Sequence, residues 1–117
     1  MNDLNALVYP SLFSRSSPDF GTEHPFKILR YRLTFQLMEE LGLVAETDIR
    51  LVDCECAAEE LLATFHDTAY LRTLKEFSKD DSHRADFRYG LGDVENPVFE
   101  GCYDWARLTC GATMEAI

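Results

Sequence analysis

The chain reads as an α/β protein, and three observations carry that reading. The short apolar run from Ala6 to Tyr9 is continuous rather than alternating, as in a strand covered on both faces of a parallel sheet, and Ile49-Arg50-Leu51-Val52 is a second strand candidate. Between them, Phe26 to Leu41 repeats apolar residues at three- and four-residue spacing, and strand–helix–strand is the order of a parallel unit. Several helical patterns follow the second run, so the chain is expected to be mostly helical. Of its 117 residues 46% are hydrophobic, ordinary for a globular protein with a core.

Pro10 stops the first strand, because it has no N–H to give a ladder. Ser11 to Glu23, rich in Ser, Pro and Gly, reads as a loop whose Phe13 and Phe20 fold over something. Thr22 or His24 is the expected cap of the next helix and Pro25 fits its first turn. Phe26, Leu29, Leu33, Leu37 and Leu41 form the stripe expected to be buried, and Gly42 ends the helix. Lys27, Arg30 and Arg32 cluster at the end where the helix dipole favours acids. That departure marks Arg30 and Arg32 for a role, against the commoner case of plain surface arginines.

After the second strand, Ala57 to Phe65 reads as a short helix burying Leu61, Leu62 and Phe65. Asp67 or Thr68 caps another, with Tyr70, Leu71, Leu74 and Phe77 along its apolar edge. Ser78 to Arg88 is a polar loop. It leads into the turn from Tyr89 to Pro97, where Gly90 and Gly92 permit a sharp bend. Asn96 as N-cap and Pro97 at the first helical position predict a final helix reaching Ile117. Its polar stripe of Glu100, Asp104, Arg107 and Glu115 is narrow, so neighbours must cover most of it. Small residues at Gly101, Ala106, Gly111 and Ala112 allow close approach. The apolar surface around Trp105 and Leu108 is expected to be covered by a partner or a second copy.

Twenty-one acidic against eleven basic residues, a net charge of −10, argue against binding a nucleic-acid backbone. Such acidity suits cationic substrates such as lysine-rich peptides or polyamines, although a solvated surface explains it more simply. No apolar run approaches the roughly 20 residues of a membrane span, and the start lacks the features of a secretory signal. A cytoplasmic location is expected, with Cys54, Cys56, Cys102 and Cys110 reduced and buried.

The three histidines are too scattered for a metal site. His24 and His66 sit at helix boundaries, where capping or a backbone hydrogen bond is the natural role, and His83 lies in a charged loop. Cys54-x-Cys56 lacks a second pair, and Gly90-Leu91-Gly92 is followed by acids that repel phosphate. What remains is Asp93 and Glu95 on the glycine-held turn, placed to accept hydrogen bonds from substrate amides unless they form a merely solvated turn.

Three blocks together resemble the zinc-dependent histone deacetylase family, especially its bacterial acetoin-utilisation-like branch. They are His24-Pro25-Phe26-Lys27-Ile28-Leu29-Arg30 with the helix to Gly42; Phe65-His66-Asp67-Thr68-Ala69-Tyr70-Leu71; and Tyr89-Gly90-Leu91-Gly92 through Asn96-Pro97-Val98-Phe99-Glu100-Gly101 to Gly111. The resemblance implies the N-terminal part of a single arginase/deacetylase-like domain, a parallel sheet wrapped by helices, spanning residues 1–117 and incomplete. It implies hydrolysis of acetyl-lysine peptides or a similar small acetylated amine. Arg30 matches the arginine of an internal channel serving acetate exit. Glu95 falls where the family usually has a rim aspartate holding the substrate backbone, with Asp93 two residues earlier. Ile28 replaces a common proline. The family's zinc ligands and catalytic tyrosine lie downstream of the matched segment, so zinc is implied with ligands expected after residue 117. No catalytic or metal residue is assigned within the segment, which is expected to be inactive alone. The alternatives are a non-catalytic interaction module of the same fold and an acetylpolyamine amidohydrolase.

Overall fold

The computed structural model describes residues 5–15, 24–45 and 49–117. β1 (Asn5–Val8) and β2 (Ile49–Val52) pair in parallel, with Asn5 opposite Ile49 and Val8 opposite Val52. The Tyr9 N–H extends the ladder to the Val52 carbonyl at 2.9 Å, and the fully buried Pro10 ends it. Parallel strands need a long crossover, and α2 (Leu29–Glu40) lies within it. The chain is thus α/β as expected, mixing helices with a small parallel sheet.

The segment after Pro10 departs from the expected loop by forming one helical turn, α1 (Leu12–Arg15), which buries Phe13. Phe20 and Thr22 lie outside the described residues. α2 starts later than its capping signals predict. Ile28 occupies the N-cap position in a helical conformation, with no side-chain cap, and Pro25 precedes the helix. Gly42 does terminate it, at φ 75° with its N–H on the Glu39 carbonyl.

Of the stripe expected to be buried, Phe26 packs against the core but the four leucines face outward. Leu29, Leu33, Leu37 and Leu41 are 39%, 54%, 55% and 64% exposed, while Ile28 and Phe35 face the core. Phe35 stacks on Tyr9 with ring centroids 3.9 Å apart. A helix apolar on two sides does not encode which side turns inward. Here the larger aromatic contact decides it.

α3 is the single turn Glu59–Leu62, shorter than expected, and leaves Leu61 and Phe65 exposed. α4 (Thr68–Phe77) is capped as predicted: Asp67 Oδ1 accepts from the Ala69 and Tyr70 amides at 2.8 and 3.2 Å. Lys75 of α4 donates to Glu59 of α3 at 2.5 Å, and this bond holds the Glu59 carboxyl below its ordinary range.

α5 (Cys102–Glu115) begins well after Asn96 and Pro97, which therefore do not cap it. Its first amides are satisfied from the end of α4. Glu100 N–H donates to Asp81 Oδ1 at 2.7 Å, Gly101 N–H to the Ser78 carbonyl at 2.9 Å, and Tyr103 N–H to Ser78 Oγ at 3.0 Å. Gly101, at φ 80°, makes the bend. Acceptors supplied by Ser78 and Asp81 outweigh a local Asn-Pro signal, because unsatisfied helix amides are costly.

Trp105 and Leu108 are 9% and 3% exposed, packed with Phe13 and Ile28 in the core. The apolar surface expected around them is therefore not available to a partner. The Ala57 N–H donates to the Arg107 carbonyl, and Arg107 Nε to the Ala57 carbonyl, both at 2.9 Å. Gly111 permits this contact: a Cβ there would lie 1.9 Å from the Glu55 carbonyl oxygen.

Candidate functional site

A groove of about 450 Å³ runs between the approach to α2, the middle of α4, the turn before α5 and α5 itself. Phe26, Tyr31, Tyr70, Phe99 and Trp105 are among its walls, and Glu95 stands at its edge. Tyr70 is a wall of this groove, and burial pushes its phenol above its ordinary range.

The turn carrying Glu95 is built by short backbone pairings. Asp86 and Leu91 exchange two hydrogen bonds, at 3.0 and 3.1 Å, and Gly92 N–H donates to the Asn96 carbonyl at 2.8 Å. Gly92 has φ 85°, and a Cβ there would lie 2.4 Å from the Arg84 carbonyl oxygen, so glycine is required. Asp93 Oδ1 accepts from Asn96 N–H at 2.7 Å. The two candidate acceptors thus differ: one oxygen of Asp93 closes the turn, while Glu95 is exposed at the groove edge.

Arg30 is exposed, and its guanidinium lies 4.2 Å from the Phe26 ring centre and 5.6 Å from that of Tyr31. Both rings line the groove, so the cation rests on two of its wall residues without lining the groove itself. Arg32, marked with it in the sequence, has a buried Nε without a hydrogen-bond partner among the described residues.

Sequence reasoning missed three links. The His24 ring bridges the two walls: Phe26 N–H donates to Nδ1 at 3.1 Å, and Nε2 meets the Glu95 carbonyl at 3.2 Å. Its position at an expected helix boundary hinted at a backbone bond, but not at a partner 71 residues away. Ser78 had no local signal. Asp53, at the exit of β2, accepts from the Ser11 and Cys54 amides at 2.9 and 2.8 Å, and these bonds lower its pKa.

The four cysteines are free thiols. None is fully buried, contrary to expectation, and Cys110 is exposed. Partial burial and the neighbouring Asp53 carboxylate push the Cys54 thiol up, which disfavours a nucleophilic thiolate. Among the described residues no group of three or more His, Cys, Asp or Glu side chains is placed to hold a metal ion. The zinc implied by the resemblance was expected to take its ligands after residue 117, and the described residues supply no donor set for it. No helix among the described residues is long and apolar enough to cross a membrane.

The fold and groove define an α/β protein with an acid-edged apolar slot beside a stacked arginine. Residues 24–117 match the histone deacetylase domain, and the chain belongs to that family. It is 36% identical over 89 residues to histone deacetylase 8 of Xenopus tropicalis, covering 74% of this chain and 23% of that protein. It is 33% identical over 98 residues to the acetoin utilization protein AcuC of Bacillus subtilis (strain 168), covering 83% and 25%. To histone deacetylase 2 of Oryza sativa subsp. japonica it is 30% identical over 100 residues, covering 83% and 19%. The chain therefore spans about a fifth to a quarter of the length of these curated relatives.

Proposed function

We propose that this chain is the N-terminal portion of one deacetylase domain, and that the protein carrying it hydrolyses acetyl-lysine in peptides or a similar N-acetylated amine. The observation that carries this reading is the position of Glu95, an exposed carboxylate at the edge of an apolar groove. The groove walls suit an alkyl stem. Glu95 accepts hydrogen bonds from the substrate's backbone amides, with Asp93 bracing the turn and offering its second oxygen. Arg30, fixed on Phe26, favours the anionic acetate product. The names of the relatives support the reaction class. The zinc and the proton-transferring groups of such a hydrolase belong, in this proposal, to parts of the polypeptide beyond these residues, and residues 1–117 alone are inactive.

The test uses the intact native protein, whose mass should exceed the 13.4 kDa of this chain. Glu95→Ala should raise KM for an acetyl-lysine peptide about tenfold, with kcat within about twofold, as expected on losing a charged hydrogen bond. An acetylated polyamine, which has no backbone amides, should be less affected. An unchanged peptide KM would remove Glu95 from the rim.

A second reading, a non-catalytic interaction module, is favoured by the exposed leucines of α2. A native mass of 13.4 kDa with no deacetylase activity would select it.

A further inference from the structure

We propose that His24 is a positioning residue that sets the rim carboxylate by bracing the Glu95 backbone against the opposite wall of the groove. This rests on the rim reading given above. Phe26 N–H can only donate, so the ring nitrogen it meets, Nδ1, must present its lone pair. The neutral ring then carries its hydrogen on Nε2. That nitrogen lies 3.2 Å from the Glu95 carbonyl, which can only accept. Each end of the ring therefore meets a partner of the required kind, and the tautomer is fixed by the backbone on both sides.

The consequence is mechanical. The bonds within the turn, from Gly92 to Asn96 and from Asn96 to Asp93, close the turn on itself. His24 joins it to the other wall. One end of the brace fixes the backbone from which the Glu95 side chain departs. The other holds the backbone of Phe26, whose ring supports the Arg30 guanidinium at 4.2 Å. One imidazole thus sets the spacing between the carboxylate that would grip substrate and the cation that would draw off product. A side chain placed this way acts through Glu95, and it need not touch substrate.

Two substitutions separate the two ends of the ring. Asparagine retains an acceptor near Nδ1 for Phe26 N–H and loses the reach to Glu95, whereas glutamine places an amide donor near Nε2. In the intact protein, His24→Asn should raise KM for an acetyl-lysine peptide about three- to tenfold with kcat within about twofold. His24→Gln should recover most of that loss. The double variant His24→Asn/Glu95→Ala should be no worse than Glu95→Ala, because both act on one contact.

A second readout does not depend on catalysis. Amide hydrogen exchange at Gly92 and Asn96 should quicken in His24→Asn and return towards the parent rate in His24→Gln. Exchange unchanged in His24→Asn, or KM losses that add in the double variant, would overturn the inference. Should His24→Asn fail to fold, a His24→Gln variant with the full KM loss of Glu95→Ala would overturn it equally. If Glu95→Ala leaves KM unchanged while exchange still responds to His24→Asn, the rim reading fails and the brace stands.

Discussion

α2 and α5 are both apolar on more than one side, yet the fold treats them oppositely. α5 is held by polar contacts at its start and middle, from Ser78, Asp81 and Ala57, and buries Trp105 and Leu108 between them. α2 has no side-chain cap, packs inward through Phe35 and the preceding Ile28, and presents Leu29, Leu33 and Leu37, with Leu41 just after it, on its other side. The difference teaches that apolar content determines how much cover a helix wants, while polar fastening decides where it receives it.

Leu108→Ala tests the α5 side most severely. Removing a core side chain that is 3% exposed should destabilise the chain by about 2–5 kcal/mol in urea unfolding. A cost below about 1 kcal/mol would mean that α5 is less tightly held than its contacts show. Ser78→Ala comes next, because it strips the acceptor from the Tyr103 amide. A loss of about 1 kcal/mol is expected, with Ser78→Thr recovering most of it.

Asp53 contributes less, and only through pH. The Ser11 and Cys54 amides depress its folded pKa below the ordinary 3.8. Its contribution is therefore complete above about pH 4 and is lost as pH falls through the lower folded value. Asp53→Asn should flatten that part of the acid limb in a series of melts below pH 4, while the parent loses stability there. The smallest effect belongs to α2. Leu37→Ala should change the stability of residues 1–117 by less than about 0.5 kcal/mol. A cost approaching that of Leu108→Ala, measured in the intact native protein, would show that the leucine row is covered there.

Much of this was readable in the chain. The two strands lie within a residue of their apolar runs, Asp67 caps α4, and Gly42 ends α2, because each depends on neighbours in sequence. The acidic turn and Arg30 were marked by residue type and by resemblance, and the groove brings Glu95 and the ring beneath Arg30 together. Asn96 and Pro97 failed as a helix start, because acceptors at Ser78 and Asp81 place the first satisfied turn later. The leucine row failed as a core face, because Tyr9 offered Phe35 a ring to stack on.

The sequence by itself determined the α/β class, the family, and the bends or caps at Gly42, Asp67 and Gly92. The class, bends and caps follow from short-range rules: apolar runs, backbone freedom at glycine, and an aspartate beside amides that need an acceptor; the family was legible only through the resemblance of three blocks. Only the tertiary structure decided which side of α2 turns inward, where α5 begins, and that His24 reaches the rim. Each of these depends on a partner far along the chain. Burial and hydrogen-bond satisfaction are summed over the whole fold, and local spacing carries no record of which distant group arrives to complete them.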